Sequence, residues 1–258
     1  MSTIFYKYQG TGNDFIIIDN RSSQFNKNNT KRVSALCDRR FGIGADGLIL
    51  LENDDEVDFK MVYYNSDGNE STMCGNGGRC ITAFANMLGI ISENAVFRAI
   101  DGLHQSRLEG EKVYLQMQDV DTVKINDSYV YLDTGSPHHV TLVNDVEALN
   151  LKSEGARIRY SDLYGKDGCN INFVQQVDET RFKVRTYERG VEDETLSCGT
   201  GVTAVAIAMS ALNKTNKKQV ELETPGGELS VKFSKQNDSY LDIWLIGPAT
   251  FVYKGEIQ

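Results

Sequence analysis

Residues 69–80 read NESTMCGNGGRC and residues 193–201 read DETLSCGTG. Both carry an acidic residue, a hydroxyl residue and then Cys-Gly-x-Gly, and both run into an apolar stretch. Glycine beside the cysteine leaves the following backbone N–H groups open, and the apolar run behind it predicts a helix. Each cysteine is therefore expected at a helix N-terminus. The agreement extends outward from these loops. Thr11-Gly12 in TGNDFIII matches Thr134-Gly135 in TGSPHHVTLV, and ADGLILL (45–51) matches GCNINFV (168–174). FKMVYYN (59–65) matches FKVRTYE (182–188) at the same offset, and the second cysteine loop carries one extra residue. Collinear matches at a nearly fixed offset imply an internal duplication.

Most segments within each half read as strands. DFIIID, GLILLE, FKMVYYN, VYLQMQ, INFVQQV, RFKVRTYE, ELSVKF and YLDIWLI are short, β-branched or aromatic, and divided by Gly, Asn and Asp. The strongest helical patterns follow the cysteines, GGRCITAFANMLG (77–89) and TGVTAVAIAMSALN (200–213). Both are nearly apolar all round, the mark of a buried helix, with Gly89 and Asn213 as stops. Shorter helices are expected near 30–39 and 144–150. The fold class that follows is α+β. Two similar halves each carry a curved, mostly antiparallel sheet wrapped around a central buried helix, with the active site expected in the cleft between them. The N-terminal half is expected over residues 1–118, joined by the last strand at 249–258, and the C-terminal half over 119–248.

The 258 residues are 40% hydrophobic and 24% charged, ordinary for a folded globular chain, and the formal net charge is −9. No Lys/Arg-rich run is present, which argues against nucleic acid or an anionic membrane as partner. No apolar run reaches the length of a bilayer span. Five cysteines without secretory features point to a reducing cytoplasm.

Cys74 and Cys80 lack Cys-x-x-Cys spacing, and the three histidines (His104, His138 and His139) are not spaced as ligands, so no metal is expected. The loops also lack a P-loop Gly-Lys-Ser/Thr and a dinucleotide fingerprint. Cys37, Cys80 and Cys169 fit buried small hydrophobes. Cys74 and Cys198 differ, because the positive helix end stabilises a thiolate and its N–H groups can bind a carboxylate. Two such thiols related by a duplication suit one task in particular. One takes a proton from a carbon stereocentre while the other donates to its opposite face. Two helix N-termini at the substrate carboxylate would stabilise carbanion charge without a cofactor.

Read with GTGNDFI, RFGIGADG, YNSDG, MCGNGGRC, GSPH, YERGV and ETLSCGTG, the chain resembles the diaminopimelate epimerases from end to end. The resemblance implies cofactor-free interconversion of LL- and meso-diaminopimelate, for lysine and cell-wall synthesis, in a cytoplasmic enzyme that is often a homodimer. It implies Cys74 and Cys198 as the acid/base pair, and Gly75-Asn76 and Gly199-Thr200 as donors to the reacting carboxylate. Asn13, Asn65 and Asn170 would line the substrate pocket, while Glu188 and Arg189 would read its distant amino and carboxylate groups. His138 would tune one cysteine, and Glu188 is the second group expected to tune a thiol. Three features depart from the family pattern: Ser136 in place of Asn, Gly47 in place of Gln, and a GVEDET loop one residue longer. A proline racemase-like epimerase shares the mechanism, but a substrate without a second charged end would not need both Glu188 and Arg189. A thiol hydrolase or acyltransferase using one cysteine with His138 is the other class of reading.

Overall fold

The computed structural model describes residues 2–257. The chain runs β1 (Thr3–Gly10), β2 (Asn13–Asp19), α1 (Thr30–Cys37), β3 (Gly47–Glu52), β4 (Phe59–Asn65), β5 (Glu70–Ser71), α2 (Gly75–Met87), β6 (Asn94–Ala99), β7 (Gly102–Glu109) and β8 (Lys112–Gln116). It continues through β9 (Val123–Ile125), β10 (Val130–Asp133), β11 (Pro137–Leu142), α3 (Leu151–Arg159), β12 (Asn170–Gln176), β13 (Arg181–Glu188), β14 (Asp193–Thr195), α4 (Gly199–Ala211), β15 (Gln219–Thr224), β16 (Gly227–Gln236), β17 (Ser239–Pro248) and β18 (Thr250–Ile257). Two compact units result: Met1–Leu115 with Gly247–Gln258, and Gln116–Ile246.

In the first unit β18 pairs with β1, β1 with β2, β2 with β3 and β3 with β4. β5 and β6 share the far side of β4, and β7 and β8 follow β6. Pairing is antiparallel except at β2–β3 and β4–β6, where α1 and α2 provide the crossovers that parallel strands require. In the second unit β9, β10, β11, β12 and β13 pair in turn, β14 and β15 share one side of β13, and β16 and β17 follow. Its parallel pairs are β11–β12 and β13–β15, the counterparts of those in the first unit. The duplication read from the cysteine loops is therefore a duplication of topology. The repeat includes the first strand of each sheet: β18, from the end of the chain, pairs antiparallel with β1 as β9 does with β10.

The helices that follow the cysteines form the cores. α2 packs on β1, β2, β3 and β7, and α4 on β9 to β13, β15 and β16. A helix that meets strands from both ends of a sheet is one the sheet wraps. α4 is buried from Val202 to Ser210, which explains why its sequence has no polar face. α2 is buried through Ala85 apart from the half-buried Ala83, and exposes only Met87 beyond it. Gly89 and Asn213 follow the two helices with φ of 70° and 55°, the left-handed stop that the sequence suggests.

The helix expected near 144–150 is instead α3, at Leu151–Arg159. Asp145 caps a local turn through the Glu147 amide, and the Asn150 side chain caps α3 by accepting from the Ser153 N–H. Gly155 reads as a breaker, yet a Cβ there would lie 2.5 Å from the Tyr187 ring. The glycine is what lets the helix approach β13. β1, β5, β6, β7, β9, β10, β11, β14 and β15 also exceed the strands read from pattern alone; β6 and β7 alternate exposed with buried or half-buried residues of mixed polarity, and β5, β9 and β14 have only two or three residues.

No helix among the described residues is long and apolar enough to cross a membrane.

Candidate active site

Cys74 is the N-cap residue of α2 and Cys198 that of α4, each with extended backbone (φ −89°, ψ 130° and φ −119°, ψ 112°) and no side-chain capping bond. The first intrahelical bonds run from Gly78 N–H to the Cys74 carbonyl and from Val202 N–H to the Cys198 carbonyl. The amides of Gly75, Asn76 and Gly77, and of Gly199, Thr200 and Gly201, thus precede the helical ladder, with the positive helix end behind them. Such a turn receives an anionic group without further residues.

In the first unit, Cys74 Sγ lies 3.6 Å from Asn13 Oδ1. That oxygen also accepts from Asn76 Nδ2 at 3.2 Å, while Asn13 Nδ2 donates to Asp46 Oδ2 at 2.6 Å. Arg79, fully buried inside α2, donates to Asn76 Oδ1, the Gly75 carbonyl, Thr11 Oγ1 and the Pro248 carbonyl. Beneath Asn13, Asp14 pairs with Lys7 at 2.8 Å and with Arg39 at 2.7 Å. Burial alone would raise the Asp14 carboxyl, but its bonds to Arg39 and Lys7 outweigh that and hold it at about 2. Asn65 ends β4, exposed, opposite Gly47. A Cβ on Gly47 would fall 2.5 Å from the Tyr63 ring and 2.6 Å from the Tyr64 carbonyl. No longer side chain fits that position, so the departure from the family pattern is built into the packing.

In the second unit, Cys198 Sγ lies 3.5 Å from Thr200 Oγ1, and the same hydroxyl is 3.0 Å from His138 Nε2. The other face of His138 identifies its tautomer. Asn172 Nδ2 donates to the His139 carbonyl, and the same nitrogen faces His138 Nδ1 at 3.1 Å. Nδ1 must therefore accept, which puts the imidazole hydrogen on Nε2, toward Thr200. The Thr200 hydroxyl is left to donate to the sulfur. Burial, aided by the Arg189 charge, pushes His138 down to about 3, so the ring is neutral at ordinary pH. His138 thus reaches Cys198 through Thr200, as an oriented dipole rather than as a cation.

Asn170 begins β12 beside His138 in the parallel β11–β12 pair. Its Nδ2 donates to Ser136 Oγ at 2.9 Å and its Oδ1 accepts from the Arg189 backbone N–H at 2.8 Å. Arg189 Nη2 lies 3.5 Å from Ser136 Oγ. The serine that departs from the family pattern therefore joins Asn170 and Arg189. Glu188 Oε2 accepts from Thr195 Oγ1 at 2.9 Å. The extra residue of the second loop is absorbed at Glu192, with φ of 58°, whose carboxylate is held by Arg159, Tyr160 and the Gly190 N–H.

Cys37, Cys80 and Cys169 are buried free thiols, pushed up by burial to about 11, 12 and 12. They behave as packing residues. Among the described residues no group of three or more His, Cys, Asp or Glu side chains is arranged to hold a metal ion. Asn172, Arg79 and the Thr200 hydroxyl escape a reading by motif. The only signals for them in the sequence are an arginine inside an apolar helix, Arg79, and an asparagine two places from Asn170 in an apolar strand, Asn172.

The diaminopimelate epimerase family model matches residues 5–123 and again 130–252. A diaminopimelate epimerase of Flavobacterium psychrophilum is 60% identical over 98% of this chain and 99% of its own length. One from Chlorobaculum tepidum is 41% identical over 96% and 98%. Among solved structures, a Bacillus anthracis phenazine biosynthesis protein of the PhzF family superposes with TM-score 0.77 at 14% identity, covering 100% of this chain and 99% of that one. A hydroxyproline epimerase from Agrobacterium vitis gives 0.68 at 13% identity, over 99% and 91%. These two share the fold. With both halves matched by one model and full-length relatives this similar, the chain belongs to the diaminopimelate epimerase family.

Proposed function

We propose that this protein interconverts LL- and meso-2,6-diaminopimelate without a cofactor, with Cys74 and Cys198 as the acid/base pair. The observation that carries the reading is their equivalence: each is the N-cap of the buried helix of its own repeat. A thiolate takes the α-proton from one face of the substrate carbon and the other thiol returns a proton on the opposite face. The reverse reaction exchanges the roles. The helix-end amides of Gly75-Asn76 and Gly199-Thr200 bind the reacting carboxylate and stabilise charge as the proton leaves. Arg189 takes the distant carboxylate with its planar fork, and Glu188 the distant ammonium. Asn13, Asn65 and Asn170 complete the pocket, and Ser136 supports the Arg189 end. His138 and Glu188 tune the thiols through their hydrogen-bond partners.

A hydrolase reading that needs His138 as general base loses its base, because an imidazole held near 3 is too weak a proton acceptor. The pathway role is lysine and peptidoglycan precursor supply in the cytoplasm. The working form is a homodimer, a reading supported by the exposed Phe251, Val252 and Tyr253 on β18 and Ile4 on β1. The direct test is to incubate purified protein with LL-diaminopimelate, without added cofactor, and follow the meso form by chiral chromatography. Failure to form it, with racemisation of proline instead, would refute the assignment.

A further inference from the structure

We propose that Asp46 is a positioning residue for Cys74: it fixes the Asn13 amide so that its carbonyl oxygen, not its amino group, faces the thiol. The inference rests on the reading of Cys74 as an acid/base group. An amide side chain is nearly symmetric in shape, so its orientation is set by its partners. Here both ends of a chain of amides are fixed by groups that can act in one sense only. Arg79, a pure donor, gives a hydrogen bond to Asn76 Oδ1 at 2.9 Å, which turns Asn76 Nδ2 toward Asn13 Oδ1 at 3.2 Å. At the other end the Asp46 carboxylate, a pure acceptor, takes Asn13 Nδ2 at 2.6 Å. Flipping either amide would oppose donor to donor and acceptor to acceptor. Asn13 Oδ1 is therefore committed as the acceptor 3.6 Å from Cys74 Sγ.

Asp46 is itself held from three directions. Its Oδ1 takes Arg39 at 2.7 Å, its Oδ2 takes the Asp14 backbone N–H at 3.2 Å, and its own N–H bonds the Asp14 carbonyl at 3.0 Å. An acceptor at the sulfur favours S–H over thiolate. The end of α2 and the Arg79 charge favour the thiolate. The remaining groups of this unit around the pair are Cys80 on α2, Asp14 on β2, Lys7 on β1 and Arg39 in the loop after α1. Asp46 thus supplies, through Asn13, the counterweight that lets Cys74 hold a proton as well as release one.

The test uses full-length protein and two readouts: the pH dependence of Cys74 alkylation by iodoacetamide, followed by peptide mass spectrometry, and kcat and KM for epimerisation. Asp46→Ala should move the alkylation profile to lower pH, raising the rate at pH 7 by about 3- to 10-fold. It should lower kcat by roughly tenfold while KM changes by less than about twofold. Asp46→Asn keeps an acceptor oxygen without the charge and should behave like the parent. In an Asn13→Ala background, Asp46→Ala should change neither readout. The Asp46 side chain is 41% exposed, so alanine there should fold, and Asp46→Ser repeats the test if it does not. An Asp46→Asn variant as disturbed as Asp46→Ala would overturn the proposal in favour of charge alone, as would an undiminished effect in the Asn13→Ala background. Because alkylation does not depend on turnover, a parent protein without epimerase activity would sink the proposed reaction and leave this readout standing.

Discussion

Gly201→Ala sets two opposing effects against each other. Gly201 is the third residue of α4, where alanine should stabilise the helix by at most about 1 kcal/mol. A Cβ at that place, however, would lie 2.7 Å from Asn172 Oδ1, 3.2 Å from Cys198 Cβ and 3.3 Å from its sulfur. Asn172 is fully buried and cannot yield toward water, and it accepts from Thr186 Oγ1 at 3.0 Å while holding His138 Nδ1. Overpacking of this kind costs about 1–3 kcal/mol. Losing the Thr186 bond inside the core costs about 1–3 kcal/mol more. The steric side wins, with a net destabilisation of roughly 1–5 kcal/mol from these terms. Its counterpart on α2, Gly77, meets no backbone within that range: the nearest atoms to a Cβ are the side-chain ends of Ile49 and Met61, at 3.2 and 3.4 Å, and the Phe15 ring at 3.6 Å. Gly77→Ala should therefore stay within about 1 kcal/mol of the parent. Urea titration of both variants reads the difference. The turnover of Gly201→Ala should also fall at least roughly tenfold, because the same push displaces Cys198 and the His138–Thr200 pair. If Gly201→Ala proves as stable and as active as Gly77→Ala, the assignment of Asn172 as the rigid support of this site is wrong.

Acid should weaken the fold through its buried histidines. Burial holds His138 at about 3 and His139 at about 4, so below pH 6.5 protons bind the unfolded chain first. Stability should fall by about 1.4 kcal/mol per pH unit per histidine between pH 6.5 and 5. His139→Gln should halve that slope, and a flat profile over the window contradicts it. Arg189→Lys should raise KM and reduce kcat/KM by at least about tenfold, since a point charge cannot reproduce a bidentate contact; Arg189→Ala with unchanged kinetics would remove Arg189 from substrate recognition. Cys74→Ala and Cys198→Ala should each lose about 10²–10⁴ in rate. In heavy water, early product from the LL epimer should carry deuterium at the inverted centre while residual substrate stays nearly unlabelled. Transfer of the substrate's own proton into product would rule out the two-base mechanism.

What the sequence determined by itself was local or repeated. A cysteine followed by glycines and an apolar run specifies a helix start wherever it occurs, because the cap and the first turn lie within a few residues of each other. Two copies at a nearly constant offset then imply two copies of one topology. The all-apolar α4 could be read as buried because no solvent face can be drawn on it. The α3 boundary was not legible, since Gly155 signals a break until the Tyr187 ring is seen against it. The tertiary structure decided which polar groups meet. Asn13 and Asp46 are 33 residues apart and Asn172 and His138 are 34 apart, and no periodicity carries that information. Parallel pairing of β2 with β3 and of β11 with β12 brings these side chains together. Hydrogen-bond sense, donor against acceptor, then fixes the orientation of each amide and of the imidazole. That sense is a property of the assembled network and belongs to no single residue in it.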